Sequence, residues 1–246
     1  MMNHRGLAFL AVLAVVAAWA QSPGAKSIFY DTVKNQPVRP NETKVPSRAP
    51  GLRVAVDLVG NNGAATPVNF ANREFRSGDR VRLRLMSNIS GRLLLILVAE
   101  DGTSKMLFPD PRINNGDSSV AAMKETVVPG AAGATIQFDQ QPGMERLLAL
   151  VSSDDGFNQL GIDWQKRTFD ADETRSLYQK LNPTTGSKGL TVEVDDQSPA
   201  TYTIADCPVP LGAAKGMDLI TTGCADSSGA ATPPKVYSEI RLLHKQ

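Results

Sequence analysis

The positions whose residue types and spacing could do chemistry are few: three arginines in one segment, two cysteines, a late histidine and several acids. Arg80, Arg82 and Arg84 alternate with Val81, Leu83 and Leu85, a spacing that in an extended chain puts three guanidiniums on one face about 6.7 Å apart. Such a stripe has the charge to hold an anionic glycan or a lipid headgroup. It serves equally to ladder with acids on a neighbouring strand or to discourage edge-to-edge pairing, and these structural roles are the preferred reading. Cys207 and Cys224 are the only cysteines. In an exported chain an even pair reads as a disulfide, here closing a Pro- and Gly-containing loop, worth about 3 kcal/mol by loop-closure entropy. Free thiols and a metal site are the alternatives. The metal reading is the weakest, because the pair lacks C-x-x-C spacing and His244 is the only histidine beyond residue 20.

Catalysis finds little support. A Ser-His-Asp or Cys-His arrangement needs a histidine base, and His244 stands close to a terminus expected to fray. The sequence contains no G-x-S-x-G, Walker loop, H-E-x-x-H or G-x-G-x-x-G. Chemistry by carboxylates alone, as in a glycan hydrolase, would draw on Asp154, Asp155 and Asp163, or on Asp170 and Glu173. Surface acids are also routine solubility devices, which is the simpler account. Asp154-Asp155-Gly156-Phe157-Asn158 clusters oxygen donors around a glycine as a calcium loop does, but lacks the full spacing of one. A polar turn after a strand ending at Ser153 is preferred. The expectation is a protein with no catalytic, cofactor or metal-binding residues.

The amino terminus supplies an address. His4 and Arg5 precede an uncharged apolar run, Leu7 to Ala20, that ends in Ala18-Trp19-Ala20, the three-part pattern of a cleavable signal peptide over residues 1–20. The run is too short to span a hydrocarbon core of about 30 Å, so no integral membrane segment is expected after cleavage. Gln21 would then come first, and with no cysteine there a lipoprotein anchor is not expected. The whole chain has 26 basic and 25 acidic residues, and losing the signal removes Arg5 and no acid. A mature chain that is formally neutral gives no electrostatic reason to expect nucleic acid as a partner.

These residues must be positioned by strands. Residues 21–51 form an N-terminal extension in which Lys26 to Asp31 could make a short strand. Pro37, Pro40, Pro46 and Pro50 then make a linker, with Arg39, Lys44 and Arg48 read as a solvated basic loop. From residue 52 the apolar period is two. Leu52 to Leu58 alternates, Gly60-Asn61-Asn62-Gly63 turns, and Leu93 to Val98 is an apolar run suited to a strand covered on both faces. Asp101-Gly102 closes a hairpin with Ser104 to Phe108. Further strands are expected at Glu125–Val128, Thr135–Asp139, Arg146–Ser152, Leu190–Asp195, Thr201–Ala205 and Val236–Leu243. One helix is expected from Asp170 to Leu181, with Asp170 and Glu173 at capping-box spacing and Asn182-Pro183 as its stop. The fold class is therefore all-β: an antiparallel β-sandwich, immunoglobulin-like or similar, with one short helix in a long connection and a disulfide-closed loop. Residues 52–246 make one β-rich domain.

Phe75-x-x-Gly78-Asp79-x-Val81-x-Leu83, Gly91-x-Leu93, Asp101-Gly102-Thr103, Leu107-Phe108-Pro109 and Pro142-Gly143-Met144-Glu145 before the strand Leu147 to Ser152 together resemble the bacterial family catalogued as domain of unknown function 4384. The resemblance covers about 54–154, and the last strand, Glu239 to His244, is similar to that of its members. It implies a β-rich module of envelope and signalling proteins. The expectation for function is thus a non-catalytic interaction or scaffold module in the periplasm or at the cell surface, with another envelope protein as partner. The alternative is a binder of anionic glycan or lipid headgroups through Arg80, Arg82 and Arg84.

Overall fold

Period-two alternation becomes two seven-stranded sheets in the computed structural model, which describes residues 26, 29, 30, 50–131, 133–181, 191–195, 199–204 and 235–246. The signal segment, the prolines and basic residues of 37–48, Cys207 and Cys224 lie outside the described residues. Strands are numbered in chain order. The first sheet contains β1 (Gly51–Val59), β2 (Ala65–Val68), β4 (Arg80–Ser87), β8 (Glu125–Val128), β9 (Ile136–Gln137), β12 (Thr191–Asp195) and β13 (Ala200–Ile204). Its order is β12-β13-β1-β4-β8, with β2 also on β1 and β9 on β4. The second contains β3 (Glu74–Arg76), β5 (Gly91–Val98), β6 (Ser104–Phe108), β7 (Ser119–Val120), β10 (Gly143–Ser152), β11 (Thr168–Phe169) and β14 (Lys235–Lys245). Here the order is β11-β6-β5-β10-β14-β3, with β7 on β5. Pairing is antiparallel except between β14 and β3.

The two sheets share one core. Leu52, Val54 and Val56 of β1 and Val81, Leu83 and Leu85 of β4 meet Leu93 and Leu95 of β5, Leu147, Ala149 and Val151 of β10, and Val236, Ile240 and Leu242 of β14. Each set occupies alternate positions, as a face-to-face packing of two sheets requires. Thr203 donates to Ser238 across the same interface at 3.2 Å, so these two buried hydroxyls satisfy each other. At Gly91 an added Cβ would stand 2.4 Å from the Ser152 carbonyl oxygen; only glycine lets β5 and β10 approach this closely.

The second sheet has apolar residues on its outer face too. Leu94, Ile96, Leu148 and Leu150 point away from the shared core and are covered by helix α1 (Asp154–Leu160) and helix α2 (Ala171–Leu181) through Phe157, Leu160, Leu177 and Leu181. Helix α1 begins where Ser153 accepts from the Gly156 amide, and ends at Gly161 in the left-handed region, φ 70°. Helix α2 carries the expected reciprocal cap: the Glu173 amide donates to Asp170 Oδ1 and the Asp170 amide to Glu173 Oε2, both at 2.9 Å. Lys180 Nζ donates to the Leu160 carbonyl at 2.9 Å, which ties the two helices together.

Three expectations are corrected. Lys26, Phe29 and Tyr30, expected within a short strand, are helical. Phe29 is fully buried against Ala55, Tyr202 and Ile204 on the outer face of the first sheet, so this residue docks on the domain. Beyond residue 50 the described residues contain two α-helices where one was expected: Asp154 to Asn158 is neither a turn nor a calcium loop but the first turns of α1, because the sheet's outer face needs the Phe157 and Leu160 side chains. Strands β2, β3, β7 and β11, each four residues or fewer, lie where no strand is expected.

Truncating Leu150, fully buried beneath the helices, to alanine should cost about 2–5 kcal/mol in urea unfolding, because neighbours on a two-sided sheet cannot collapse into the space.

Candidate functional site

The arginine stripe lies on the outer face of the first sheet, and its members have different surroundings. Arg84 makes a two-pronged bond to Asp57, Nε to Oδ2 at 2.8 Å and a terminal nitrogen to Oδ1 at 2.9 Å, and its other terminal nitrogen lies 3.4 Å from Glu125. Arg53 joins the same Glu125 at 3.3 Å and also donates to the Tyr202 hydroxyl. Hydrogen bonding to Asp57 holds the Arg84 proton more tightly than usual. Arg82 donates to the Ala134 carbonyl at 3.0 Å, and the half-buried Arg80 to Gly60 and Asn61 in the β1–β2 turn. The stripe is thus laddered with acids and carbonyls of its own sheet.

The acids proposed for carboxylate chemistry have local duties. Asp154 pairs with Arg92 at 2.6 Å, Asp163 accepts from the Gln165 amide, and Asp170 and Glu173 cap α2, with Glu173 also paired to Lys166. Asp155 is exposed in the first turn of α1.

His244 corrects the sequence reading most. Instead of fraying, it is buried, held in β14 between β10, where it faces Gly143, and β3, where it faces Phe75. Its ring lies 5.1 Å from that of Phe138. His244 Nε2 is 3.1 Å from the Ser77 hydroxyl, and Nδ1 is 3.9 Å from Glu145 Oε1. Asp139 completes the group: one ligand-type atom each of Asp139, Glu145 and His244 lie within 4.8 Å of one another. Burial, then the neighbouring Asp139, push the Glu145 carboxyl above its ordinary range; His244 opposes this, and Glu100 adds to it. Nδ1 has no hydrogen-bond partner. Whichever tautomer is present, a buried ring nitrogen is left unsatisfied, at a cost of about 1–3 kcal/mol. The sequence held one signal for this: His244 continues the alternation Val236, Ser238, Ile240, Leu242, all inward and buried.

Ser77, His244 and Glu145 follow the order of a hydrolytic triad, but the arrangement lacks what the chemistry needs. The gap of 3.9 Å between Nδ1 and Glu145 is too long for a hydrogen bond. The amides beside Ser77 are spent: its own on the Lys245 carbonyl, that of Gly78 on Phe138 and that of Asp79 on Arg76. No donor there is left to hold an oxyanion. Gly78, at φ +88°, makes the turn that delivers Ser77 to the imidazole.

A second feature is an open cleft of about 840 Å³ on the β8 side, between the two sheets. Met106, Leu107, Ile113, Val128 and Ile136 contribute apolar lining. The cis prolines Pro109 and Pro129 follow β6 and β8 there. Arg112 holds the Asp110 carboxyl down at about 2, and Arg167 donates to the Met106 and Pro109 carbonyls. Lys105 is exposed at the rim.

Fold and site define a β-rich protein with two facing sheets and a helical cover. Residues 74–155 match the family described as Domain of unknown function (DUF4384), as the short motifs around Gly78, Asp101 and Phe108 implied. The match runs from β3 into α1, so β1 and β2 precede it. No curated protein and no solved structure matches the chain. No helix among the described residues is long and apolar enough to cross a membrane.

Reversing charge along the stripe should separate its members. Arg84→Glu leaves the buried Asp57 without its partner and should lower stability by about 1–3 kcal/mol in thermal or urea unfolding. Arg80→Glu, whose bonds are exposed, should change it by less than about 0.5 kcal/mol.

Proposed function

We propose that this protein is exported and acts in the cell envelope as a non-catalytic binding module, gripping an extended segment of another envelope protein along the β8 side of the sandwich. The observation that carries this reading is the cleft beside an open sheet edge. Among the described residues β8 ends the first sheet, pairing with β4 on one side only, and its Val127 is one of two large apolar residues left exposed. An extended partner strand can add to such an edge through its backbone while alternate side chains enter the apolar cleft. Lys105, Arg112 and Arg167 against Asp110 give the lining a basic excess, which favours a segment carrying acidic residues among its apolar ones. This is an immunoglobulin-like use of a sandwich, with a rigid frame and a binding rim. Anionic glycan or lipid as the ligand of Arg80, Arg82 and Arg84 is less well supported, since Arg82 and Arg84 are committed to internal partners.

Selecting a displayed library of random peptides against the protein tests the reading. Enriched peptides should mix apolar and acidic residues, and should lose binding to Ile113→Glu and to Lys105→Glu. Enrichment only of peptides indifferent to both substitutions would refute it.

Export and the disulfide belong to the same reading and have a shared test. Intact-mass analysis of protein recovered from the envelope fraction should give a chain beginning at Gln21 and lighter by two hydrogens than the dithiol form, with Cys207 and Cys224 resistant to alkylation until reduced.

A further inference from the structure

We propose that Asp139, Glu145 and His244 bind one divalent transition-metal ion of the zinc type, through His244 Nδ1 and one oxygen from each carboxylate. The three donor atoms already lie within 4.8 Å of one another. Zinc bonds of about 2.0–2.2 Å require only that the carboxylates close in around the ion. Asp139 is exposed and Glu145 half-buried, so both can rotate, whereas the imidazole is fixed.

The observation that lifts this above a cluster of acids is the imidazole itself. It is fully buried, its Nδ1 has no hydrogen-bond partner, and that nitrogen lies on the carboxylate side of the ring, 3.9 Å from Glu145. Nε2 is occupied by the Ser77 hydroxyl. When Nε2–H donates to Ser77, the Nδ1 lone pair faces two carboxylates, an arrangement of acceptors only, which a cation between them satisfies. Ser77 then does what the outer partner of a metal-bound histidine does: it fixes the tautomer and the ring orientation. Glu100 adds negative charge felt at Glu145. An imidazole donor favours zinc and its neighbours over calcium or magnesium, which take oxygen ligands. Solvent at the Asp139 side leaves room for water as a further ligand.

The ion would join three places in the fold. Asp139 follows β9 of the first sheet, Glu145 lies in β10 and His244 at the end of β14, both in the second. Binding would therefore clamp the last strand and bridge the two sheets.

The test is a zinc titration by calorimetry on chelator-treated, tag-free protein with its thiols blocked, and cobalt in place of zinc for its visible spectrum. One equivalent should bind, and the thermal midpoint should rise with zinc. Glu145→Gln and the exposed Asp139→Asn should each abolish both effects while retaining the wild-type circular dichroism. Ser77→Ala, which removes only the orienting hydroxyl, should weaken binding about 10- to 100-fold. The inference is overturned if zinc does not saturate a site, if binding survives both carboxylate substitutions, or if calcium binds more tightly than zinc. None of these outcomes bears on peptide binding at the β8 cleft.

Discussion

The centre of the second sheet has no polar face. β5 and β10 place Leu93, Leu95, Leu147 and Val151 on one side and Leu94, Ile96, Leu148 and Leu150 on the other, all buried. At about 25 cal/mol per Å² of apolar surface, leaving either side wet would forfeit much of the stability of a domain this size. Both sides must therefore be covered. The first sheet covers one and helices α1 and α2 the other, and this double demand explains why a chain of alternating strands includes a helical layer.

Polar interactions then fix how the layers lie. Beside helix α2, Glu239 of β14 accepts from Arg146 of β10, from Arg241 and from the Tyr178 hydroxyl of α2. Burial pushes the Tyr178 hydroxyl up to about 12, keeping it a donor at any physiological pH. Burial also works to raise the Glu239 carboxyl, but the hydrogen bonds from Arg241 and Arg146 outweigh it and hold it low. On the outer face of the first sheet Arg53, Arg84, Asp57 and Glu125 form a comparable network, beside which Phe29 docks on Ala55 and Tyr202. Charged residues that look like ligand-binding equipment in one dimension serve here to finish the surfaces of two sheets. Among the described residues, the open β8 rim and the unpartnered nitrogen of His244 are not spent in this way.

The sequence by itself determined the strands long enough to show a period and the turns between them. Glu125–Val128 is strand β8 as expected, and the hairpin at Asp101-Gly102 and the Asp170–Glu173 cap form as their spacing demands, the latter two because they depend on neighbours a few positions away. The same is true of the family motifs, which mark turns and strand ends. Tertiary structure decided the rest. Helix α1 exists because a sheet face elsewhere needed Phe157 and Leu160, and strands as short as β3 and β11 exist only as pairings with distant partners. It also decided which arginine is structural, since Asp57 and Arg84 meet only when β1 and β4 pair. Above all it gathered Asp139, Glu145 and His244: nothing local links a carboxylate after β9 to a histidine more than a hundred residues later until β14 lies down between β10 and β3.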